Sequence, residues 1–253
     1  MLFNHGHAVQ DTYDNNIQAL QCNLVVTKEL DPANLLSYKN ACEKLAGLTG
    51  VSPITTNMCP ETCLAFTGPF SELNECPECG SPHYQKANGH CCKQPLQVFH
   101  TIPIGPLLQA LWLSEESVEK MKYQTEKTQR LFTSMFENGG HIPVYKDFIH
   151  GGDYINAVPD IGDHNMVLLL SIDGAQLYKR KQSDCWIYIW VIMDLSLGVR
   201  YKKSHILSGG FIPGPNKPKN IDSFLFPGLQ HVSTLQKEGL SIWDASVKWQ
   251  FSS

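Results

Sequence analysis

The sequence lacks several features that would place it in a functional class at once. It has no basic excess, since 20 Lys and Arg against 24 Asp and Glu give a formal charge of −4. This argues against a general basic coat for nucleic acid, although a local basic surface stays compatible with it. The longest apolar run, CWIYIWVIMDL at 185–195, is too short to cross a bilayer. The polar N-terminus MLFNHGHAVQDTYDNN does not resemble a secretory signal. We therefore expect a soluble intracellular protein.

Four cysteines in the first third of the chain carry the strongest local signal. Cys59 and Cys63 form a C-x3-C pair, and Cys76 and Cys79 form a C-x2-C pair twelve residues later, followed at once by Gly80. A tetrahedral zinc ion prefers four thiolates, and each short turn directs two of them at one metal. Glycine after the second pair tolerates the positive φ that such a knuckle often needs. The spacing predicts a structural zinc site.

Other uses of cysteine remain open at this point, namely two disulfides or buried free thiols. Without a secretory route, closely spaced pairs favour metal over disulfide. Four nearby side chains are candidates for spare ligands or a second partial site, and we favour the interpretation that they are bystanders: His83, His90, Cys91 and Cys92. Three isolated cysteines in apolar surroundings are predicted to be core residues: Cys22, Cys42 and Cys185.

Helical patterns surround the cysteine segment. Apolar residues recur at helical spacing in two stretches between about 15 and 50, and helix is predicted again between 105 and 138. Ser114 is a suitable N-cap, and Gly139-Gly140 ends the second helical region. The glycine- and proline-containing loop 139–163 is typical of a boundary.

The pattern changes to strand after this loop. The run MVLLLSID at 166–173 predicts a buried central strand, and 185–194 and 200–207 predict two more. A Gly/Pro loop then leads to a helix carrying Leu229, Val232 and Leu235, and 240–245 predicts a last strand. The order β-β-β-α-β matches the first part of a ribonuclease H-like fold, in which the strand after the helix lies beside the first strand.

We therefore predict an α+β protein with N-terminal helices and a zinc-knuckle module followed by a partial ribonuclease H-like core. The predicted divisions are an N-terminal helical segment 1–56, a cysteine module 57–95, a helical linker region 96–163 and the partial core 164–253.

Two acids occupy the positions at which ribonuclease H-like enzymes hold divalent metals for phosphoryl transfer. Asp173 ends the first predicted strand and Asp244 ends the fourth. The alternative is that Asp173-Gly174 is an ordinary turn after a buried strand. Asp222 is better explained as a helix N-cap, and Asp194 as a strand-end residue.

Several long segments together resemble fungal CACTA-type transposases of the Plavaka group. They are MCPETCLAFTGPF with ECPECGSPHY, TIPIGPLLQALW, SIDGAQLYKRKQSDCWIYIW, RYKKSHILSGGFIPGPNKPKNIDSFLFPGL and LQKEGLSIWDA. The resemblance runs from about residue 57 to the end. It implies a DDE-type transposase that cuts transposon ends and joins them to new DNA through a ribonuclease H-like core with Mg²⁺.

The resemblance also implies residue roles. Asp173 corresponds to the first catalytic carboxylate of the family, and the four knuckle cysteines correspond to its zinc-binding segment. Members of the family continue past SVKWQFSS, so the remaining acids have no assigned counterpart here and the chain is interpreted as a truncated, catalytically incomplete copy. The resemblance further implies a nuclear location and transposon-end DNA as the partner. We expect no contact with membranes, and assembly into a homo-oligomer is compatible with this interpretation.

Basic residues around the predicted strands are candidate phosphate contacts. The predicted DNA-binding residues are Lys179, Arg180, Lys181, Arg200, Lys202 and Lys203, with Lys217 and Lys219 as a third cluster. The alternative is a solvated strand edge on which lysines oppose aggregation. Two functions stay open: a transposase-lineage nuclease and strand transferase, and a non-catalytic zinc-containing DNA- or protein-binding module derived from one.

Overall fold

The computed structural model of the protein describes residues 11, 13–18, 35–85, 93–162, 164–176 and 184–253. The backbone divides into two compact units, Met1–Ser52 and Pro53–Ser253. No helix in the described part of the chain combines the length and the apolar character needed to cross a membrane.

The first unit contains helix α1 (Tyr38–Thr49). The Ser37 hydroxyl accepts a hydrogen bond from the Asn40 N–H at its start, and Gly50 ends it in the left-handed region at φ 69°. No residue of α1 is buried, so the predicted apolar stripe is not a core face within this unit. Cys42, which we predicted to be a core residue, is exposed because it lies on this uncovered helix.

The second unit is built on an antiparallel five-stranded sheet. Its strands are β1 (Ile54–Met58), β2 (Gln97–Thr101), β3 (Leu168–Gln176), β4 (Asp184–Ile192) and β5 (Ile206–Pro213). Their order across the sheet is β1-β2-β5-β4-β3. The chain is therefore α+β, as predicted, and the cysteine segment between β1 and β2 lies at the opposite edge of the sheet from β3.

Helices and one hairpin complete this unit. The helices are α2 (Ile104–Leu111), α3 (Glu115–Met121), α4 (Tyr123–Glu137), α5 (Gly152–Ala157), α6 (Leu197–Arg200) and α7 (Ile221–Glu238). Among the described strands, β6 (Ser241–Asp244) and β7 (Trp249–Ser252) pair only with each other. The Ser114 hydroxyl accepts from the Ser117 N–H, which confirms the predicted N-cap of α3. Short 3₁₀ turns lie at Gly68–Phe70, Phe148–His150, Val158–Asp160 and Lys203–His205.

The main core lies on one face of the sheet. One cluster, which includes Ile104 of α2 and Trp190 of β4, is packed against by Leu168 and Leu170 of β3 and by residues of α7. A second cluster joins Phe99 of β2 to Phe224 of α7, whose rings meet edge to face with centroids 5.2 Å apart. Burial of these large side chains supplies the main driving force for docking α7 on the sheet.

The Tyr188 ring on β4 determines how closely β5 and α7 pack around it. Its ring lies over Gly209 and Gly210 of β5, and a Cβ atom at either glycine would overlap it. The Tyr188 hydroxyl donates to Thr101 Oγ1 over 3.2 Å, and it would stand 3.0 Å from a Cβ built on Gly228 of α7. The pairing also shifts register here, because Tyr188 faces Gly210 while Ile189 faces Ser208.

The predicted central strand is an edge strand. β3 pairs with β4 over nine residues and has no second neighbour among the described strands. The prediction failed because an apolar run indicates cover on both faces, whereas Leu169 is 41% exposed and Ser171 and Asp173 are exposed. The second predicted neighbour, 240–245, instead contains β6, which forms its own hairpin with the nearby strand β7.

The predicted strand 200–207 was also wrong in position. Residues 197–200 are helical, a 3₁₀ turn follows, and β5 begins at Ile206 and includes the glycines that we expected in a loop. Glycine is usually unfavourable inside a strand. Here it is needed because the Tyr188 ring occupies the space of a side chain.

Candidate metal centre

The first cysteine turn follows β1 directly. The Cys59 N–H donates to the Leu64 carbonyl, and the Thr62 N–H donates back to the Cys59 carbonyl, both over 2.9 Å. Thr62 takes a left-handed φ of 58°, which reverses the chain so that Cys59 and Cys63 face the same point. The bridge between Met58 and Ala65 closes the loop at its base.

The second cysteine turn is held in the same way. The Cys76 N–H donates to the Ser81 carbonyl and the Gly80 N–H donates to the Cys76 carbonyl, each over 2.8 Å. Gly80 has a φ of 70°, the backbone conformation that the sequence predicted for this position. A side chain at Gly80 would meet no neighbour within 4 Å, so backbone conformation rather than space requires glycine.

The two turns bring four sulfur atoms together. The Sγ atoms of Cys59, Cys63, Cys76 and Cys79 all lie within 4.8 Å of one another. The Cys59 and Cys79 sulfurs are 3.5 Å apart. Ligands on a tetrahedral Zn²⁺ with Zn–S bonds of about 2.3 Å stand about 3.8 Å from each other, so the cluster has the size of a four-thiolate metal site. The predicted convergence of the four cysteines is confirmed.

The four thiols differ in their surroundings. Cys59, Cys63 and Cys76 are at most 2% exposed, whereas Cys79 is exposed. Burial raises the pKa of Cys59 far above its usual range and raises the pKa of Cys63 to about 11. Burial also acts on Cys79, but hydrogen bonds from the Ser81 hydroxyl and backbone outweigh it and lower the Cys79 pKa to about 7. A bound divalent cation would overcome the effect of burial on these pKa values, because it favours the deprotonated thiolate form of every cysteine that it binds.

His83 supports the cluster without belonging to it. Its ring is buried between Phe66 and Tyr84, with centroid separations of 3.7 and 3.8 Å. His83 Nδ1 lies 2.7 Å from the Leu73 carbonyl and Nε2 lies 2.9 Å from Asn57 Nδ2. A carbonyl only accepts, so Nδ1 carries the proton and Nε2 accepts from the Asn57 amide. Both ring nitrogens are thus occupied, which agrees with the predicted bystander role. His90, Cys91 and Cys92 lie outside the described residues.

The first cysteine turn is bonded to the start of α7. The Cys63 carbonyl accepts from the N–H groups of Lys219 and Asn220, over 3.1 and 2.9 Å. The Ala65 N–H donates to Ser223 Oγ over 2.9 Å, and the Thr67 hydroxyl donates to the Ser223 carbonyl over 2.6 Å. The metal centre therefore anchors the helix that covers the sheet.

The Asn216 side chain adds a further link between this turn and the segment before α7. Its amide donates to the carbonyl and the carboxylate of Glu61, over 3.3 and 3.2 Å. The loop that carries Lys217 and Lys219 is thus held from both ends by the first cysteine turn.

The two predicted catalytic acids lie on different sheets. Asp173 is exposed on β3, where its Oδ1 accepts from the Gly174 N–H. Asp244 ends β6, and its Oδ1 accepts from the Ser246 N–H, the Ser246 hydroxyl and the Val247 N–H. Burial acts against the charged form of Asp244, but these bonds prevail and lower its pKa. Since β6 does not pair with β3, the strand pairing that would bring the two carboxylates together is absent from the described sheets.

Within the described ranges, the four cysteines are the one set of three or more cysteine, histidine or acidic side chains that converge closely enough to hold a metal. Asp173 and Asp244 are therefore not part of such a set.

The predicted DNA-binding residues lie in different environments. Lys202 and Lys203 are exposed in the turn before β5, as the prediction requires. Lys217 is exposed as well, and its Nζ lies 5.4 Å from the centroid of the Trp186 ring. Arg200 is fully buried and ion-paired, so its assignment as a phosphate contact is wrong. Lys179, Arg180 and Lys181 lie outside the described residues.

Two buried charged residues were missed or misread from the sequence. Asp147, in the predicted boundary loop, receives both guanidinium nitrogens of Arg200. Asp194 is 5% exposed and its Oδ2 accepts from the Val167 N–H over 2.9 Å. Desolvation by burial raises the Asp194 pKa to about 7. No local pattern signals either role, because each depends on contacts far along the chain.

Comparisons of the chain with known protein families, with curated proteins and with solved structures find no match.

Proposed function

We propose that Cys59, Cys63, Cys76 and Cys79 bind one structural Zn²⁺, and that the metal-stapled second unit is a non-catalytic DNA-binding module of transposase lineage. The observation that carries this is the convergence of four sulfurs within 4.8 Å. Four protein ligands fill a tetrahedral shell, which is the pattern of a structural rather than a catalytic zinc site.

The hydrogen bonds around the sulfurs also support a structural role. Both turns are closed by their own backbone, and the first is joined to α7 through the Cys63 carbonyl and Ser223. Metal binding at such a site adds directly to folding free energy, because the unfolded chain does not hold the four ligands in place. The metal would thus stabilise the contact between the sheet edge at β1 and α7.

The transposase lineage rests on the sequence segments described above, and one feature of the fold agrees with it. β3, β4 and β5 are consecutive antiparallel neighbours followed by α7, the order expected at the start of a ribonuclease H-like core. A nuclear location belongs to the same proposal, whereas magnesium chemistry belongs only to the catalytic alternative given below.

DNA binding is supported by exposed lysines on two segments that frame β5. Lys202 and Lys203 precede the strand, and Lys217 and Lys219 follow it. The net charge is −4, so affinity would come from these local clusters and would be sensitive to salt. The loop with Lys217 and Lys219 is the one held by the first cysteine turn, which makes the zinc site relevant to binding.

A second candidate function is metal-dependent DNA cleavage, and the exposure of Asp173 favours it. Its carboxylate lies on the outer face of an edge strand, where divalent metal and DNA would reach it. Against this, Asp244 is engaged in its own turn, and two-metal phosphoryl transfer needs several carboxylates around one point. We therefore favour binding without turnover.

The test has three measurements on the purified 253-residue chain. Elemental analysis should give one zinc per chain. For a duplex that carries the transposon ends, log Kd should rise linearly with the logarithm of the salt concentration. The double variant Lys202→Ala/Lys203→Ala should reduce the slope of this line by about 2. Lys237→Ala, which changes an exposed lysine in the last turn of α7, is the matched control and should have no effect.

The third measurement is incubation of that duplex with Mg²⁺, where we expect no cleavage. Cleavage that Asp173→Asn abolishes would replace the binding proposal with the catalytic one. Protein that contains zinc but has no affinity for DNA at low salt would overturn the DNA part and leave the metal site standing.

A further inference from the structure

The four cysteines of the metal centre are unequally exposed to solvent. Cys59 is 0% exposed, Cys63 1% and Cys76 2%, whereas Cys79 is exposed. Any solute that reacts with sulfur therefore reaches Cys79 first.

The sulfur paired with Cys79 is also defined by the structure. Cys79 Sγ is 3.5 Å from Cys59 Sγ, so the two sulfurs need to approach by about 1.5 Å to reach disulfide bond length. The two cysteines come from different turns, so a bond between them would tie the turns together without the metal. Cys42 is an exposed thiol on α1, and among the described residues no other cysteine is grouped with it.

We infer that Cys79 is an oxidation site through which peroxide releases the metal, with Cys59 as the resolving thiol. This inference rests on the proposed zinc site. The reagent class is a hydroperoxide, with hydrogen peroxide as the smallest member. The thiolate is the reactive form of cysteine, and every cysteine that binds zinc is a thiolate. Exposure to solvent then decides which ligand peroxide reaches, so the exposed Cys79 is a better target than the buried ligands.

The chemistry proceeds in two steps that balance. The Cys79 thiolate attacks one oxygen of hydrogen peroxide, the O–O bond breaks, and Cys79 sulfenic acid and hydroxide form. The Cys59 thiolate then attacks the Cys79 sulfur, the S–O bond breaks, and a disulfide and a second hydroxide form. Two thiolates lose two electrons in total and one peroxide gains them. Only Cys63 and Cys76 then remain as ligands, and two thiolates do not retain a structural zinc ion.

The consequence for the fold follows from the hydrogen bonds of the first turn. The Cys63 carbonyl holds the backbone of Lys219 and Asn220, and Asn216 binds Glu61. When the metal leaves, the Cys59–Cys79 disulfide still joins the two turns, but Cys63 no longer has an anchor of its own. The segment 216–220, which is bonded to the Cys63 carbonyl, is then held less rigidly. Oxidation at Cys79 would therefore loosen the loop that carries Lys217 and Lys219.

The experiment uses the zinc-loaded 253-residue chain titrated with hydrogen peroxide. Zinc release is followed with a chromogenic chelator, and the oxidised cysteines are mapped by differential alkylation and mass spectrometry. We expect release of one zinc per peroxide consumed, and a Cys59–Cys79 disulfide as the first product. The reductant dithiothreitol with added zinc should restore the metal.

Cys79→His is the informative variant, because imidazole is a zinc ligand that peroxide does not convert to a sulfenic acid. It should keep the metal and slow zinc release by about tenfold or more. Cys42→Ser removes the exposed thiol of the first unit and should leave the release rate unchanged.

The outcomes separate the two ideas. If wild-type protein contains no zinc, the metal site itself fails and this inference with it. If zinc is bound but leaves with Cys63 or Cys76 oxidised first, or if Cys79→His releases zinc as fast as wild type, the inference alone is overturned.

Discussion

Arg200 and Asp147 form a buried bidentate ion pair that ties the loop before α5 to the last residue of α6. Arg200 Nη1 lies 2.8 Å from Asp147 Oδ1 and Nη2 lies 2.9 Å from Oδ2. The two side chains are 0% and 6% exposed. The Arg200 Nε–H donates to the Leu195 carbonyl, and the guanidinium lies 5.0 Å from the centroid of the Phe148 ring. Such a pair holds its partners in a fixed geometry because neither charge can return to water.

Asp147→Ala should therefore be strongly destabilising. It leaves the Arg200 guanidinium buried without its counterion, and we expect a loss of about 3–5 kcal/mol in the free energy of unfolding. Urea denaturation followed by circular dichroism measures it. Lys202→Ala, a neighbouring exposed cation, should change stability by less than about 0.5 kcal/mol. A loss below about 1 kcal/mol in Asp147→Ala would contradict the buried pair.

Asp194 should make stability depend on pH. Burial raises its pKa in the folded protein to about 7, above the value of about 3.9 in unfolded chains. The folded state then holds the proton more tightly, so stability falls as pH rises from about 4 to 7 and is flat above that range. Asp194→Asn keeps an oxygen for the Val167 N–H and removes the titration. We expect this variant to lose that slope and to be more stable at pH 8, by at most about 4 kcal/mol.

The control for this prediction is Asp173→Asn, which makes the same chemical change at an exposed site. The free energy of unfolding of both variants is measured by urea denaturation between pH 4 and 8. An unchanged slope in Asp194→Asn would show that the carboxyl of Asp194 is ionised in the folded protein.

Removal of zinc should act on α7 as well as on the knuckle. Chelation, or Cys63→Ser, should raise hydrogen exchange at the amides of Lys219 and Asn220, which donate to the Cys63 carbonyl. Exchange within β4 should rise less, because its ladder to β3 is distant from the cysteine turns. Cys185→Ser serves as a cysteine control outside the cluster. Unchanged hydrogen exchange at the Lys219 and Asn220 amides after metal removal would contradict the structural role of the zinc.

Gly210→Ala should destabilise the sheet. The added methyl group would overlap the Tyr188 ring, and relief requires movement of a buried side chain. We expect a cost of about 1–3 kcal/mol, measured by thermal or urea unfolding. Gly198→Ala is the matched control, since a Cβ at this position meets nothing within 4 Å. A neutral Gly210→Ala would mean that Tyr188 can leave its position over β5.

The sequence alone determined the features that depend on neighbours a few residues apart. The spacing of Cys59, Cys63, Cys76 and Cys79, the φ of Gly80 and the N-cap at Ser114 are properties of single turns, so motif and residue type were sufficient. The approximate positions of β3, β4 and α7 followed from the period of their apolar residues for the same reason.

Only the tertiary structure decided which strands pair and which charges are buried. An apolar run such as that of β3 does not specify its neighbours, and the local hairpin of β6 and β7 competed with the predicted pairing beside β3. Arg200 and Lys202 look equivalent in the sequence, yet Arg200 is buried in an ion pair with Asp147 and Lys202 is exposed. The difference comes from the tertiary structure, because Asp147 lies more than 50 positions away from Arg200 in the chain. Glycines 209 and 210 resemble a loop until Tyr188 is placed over them, since the contact that requires them comes from another strand.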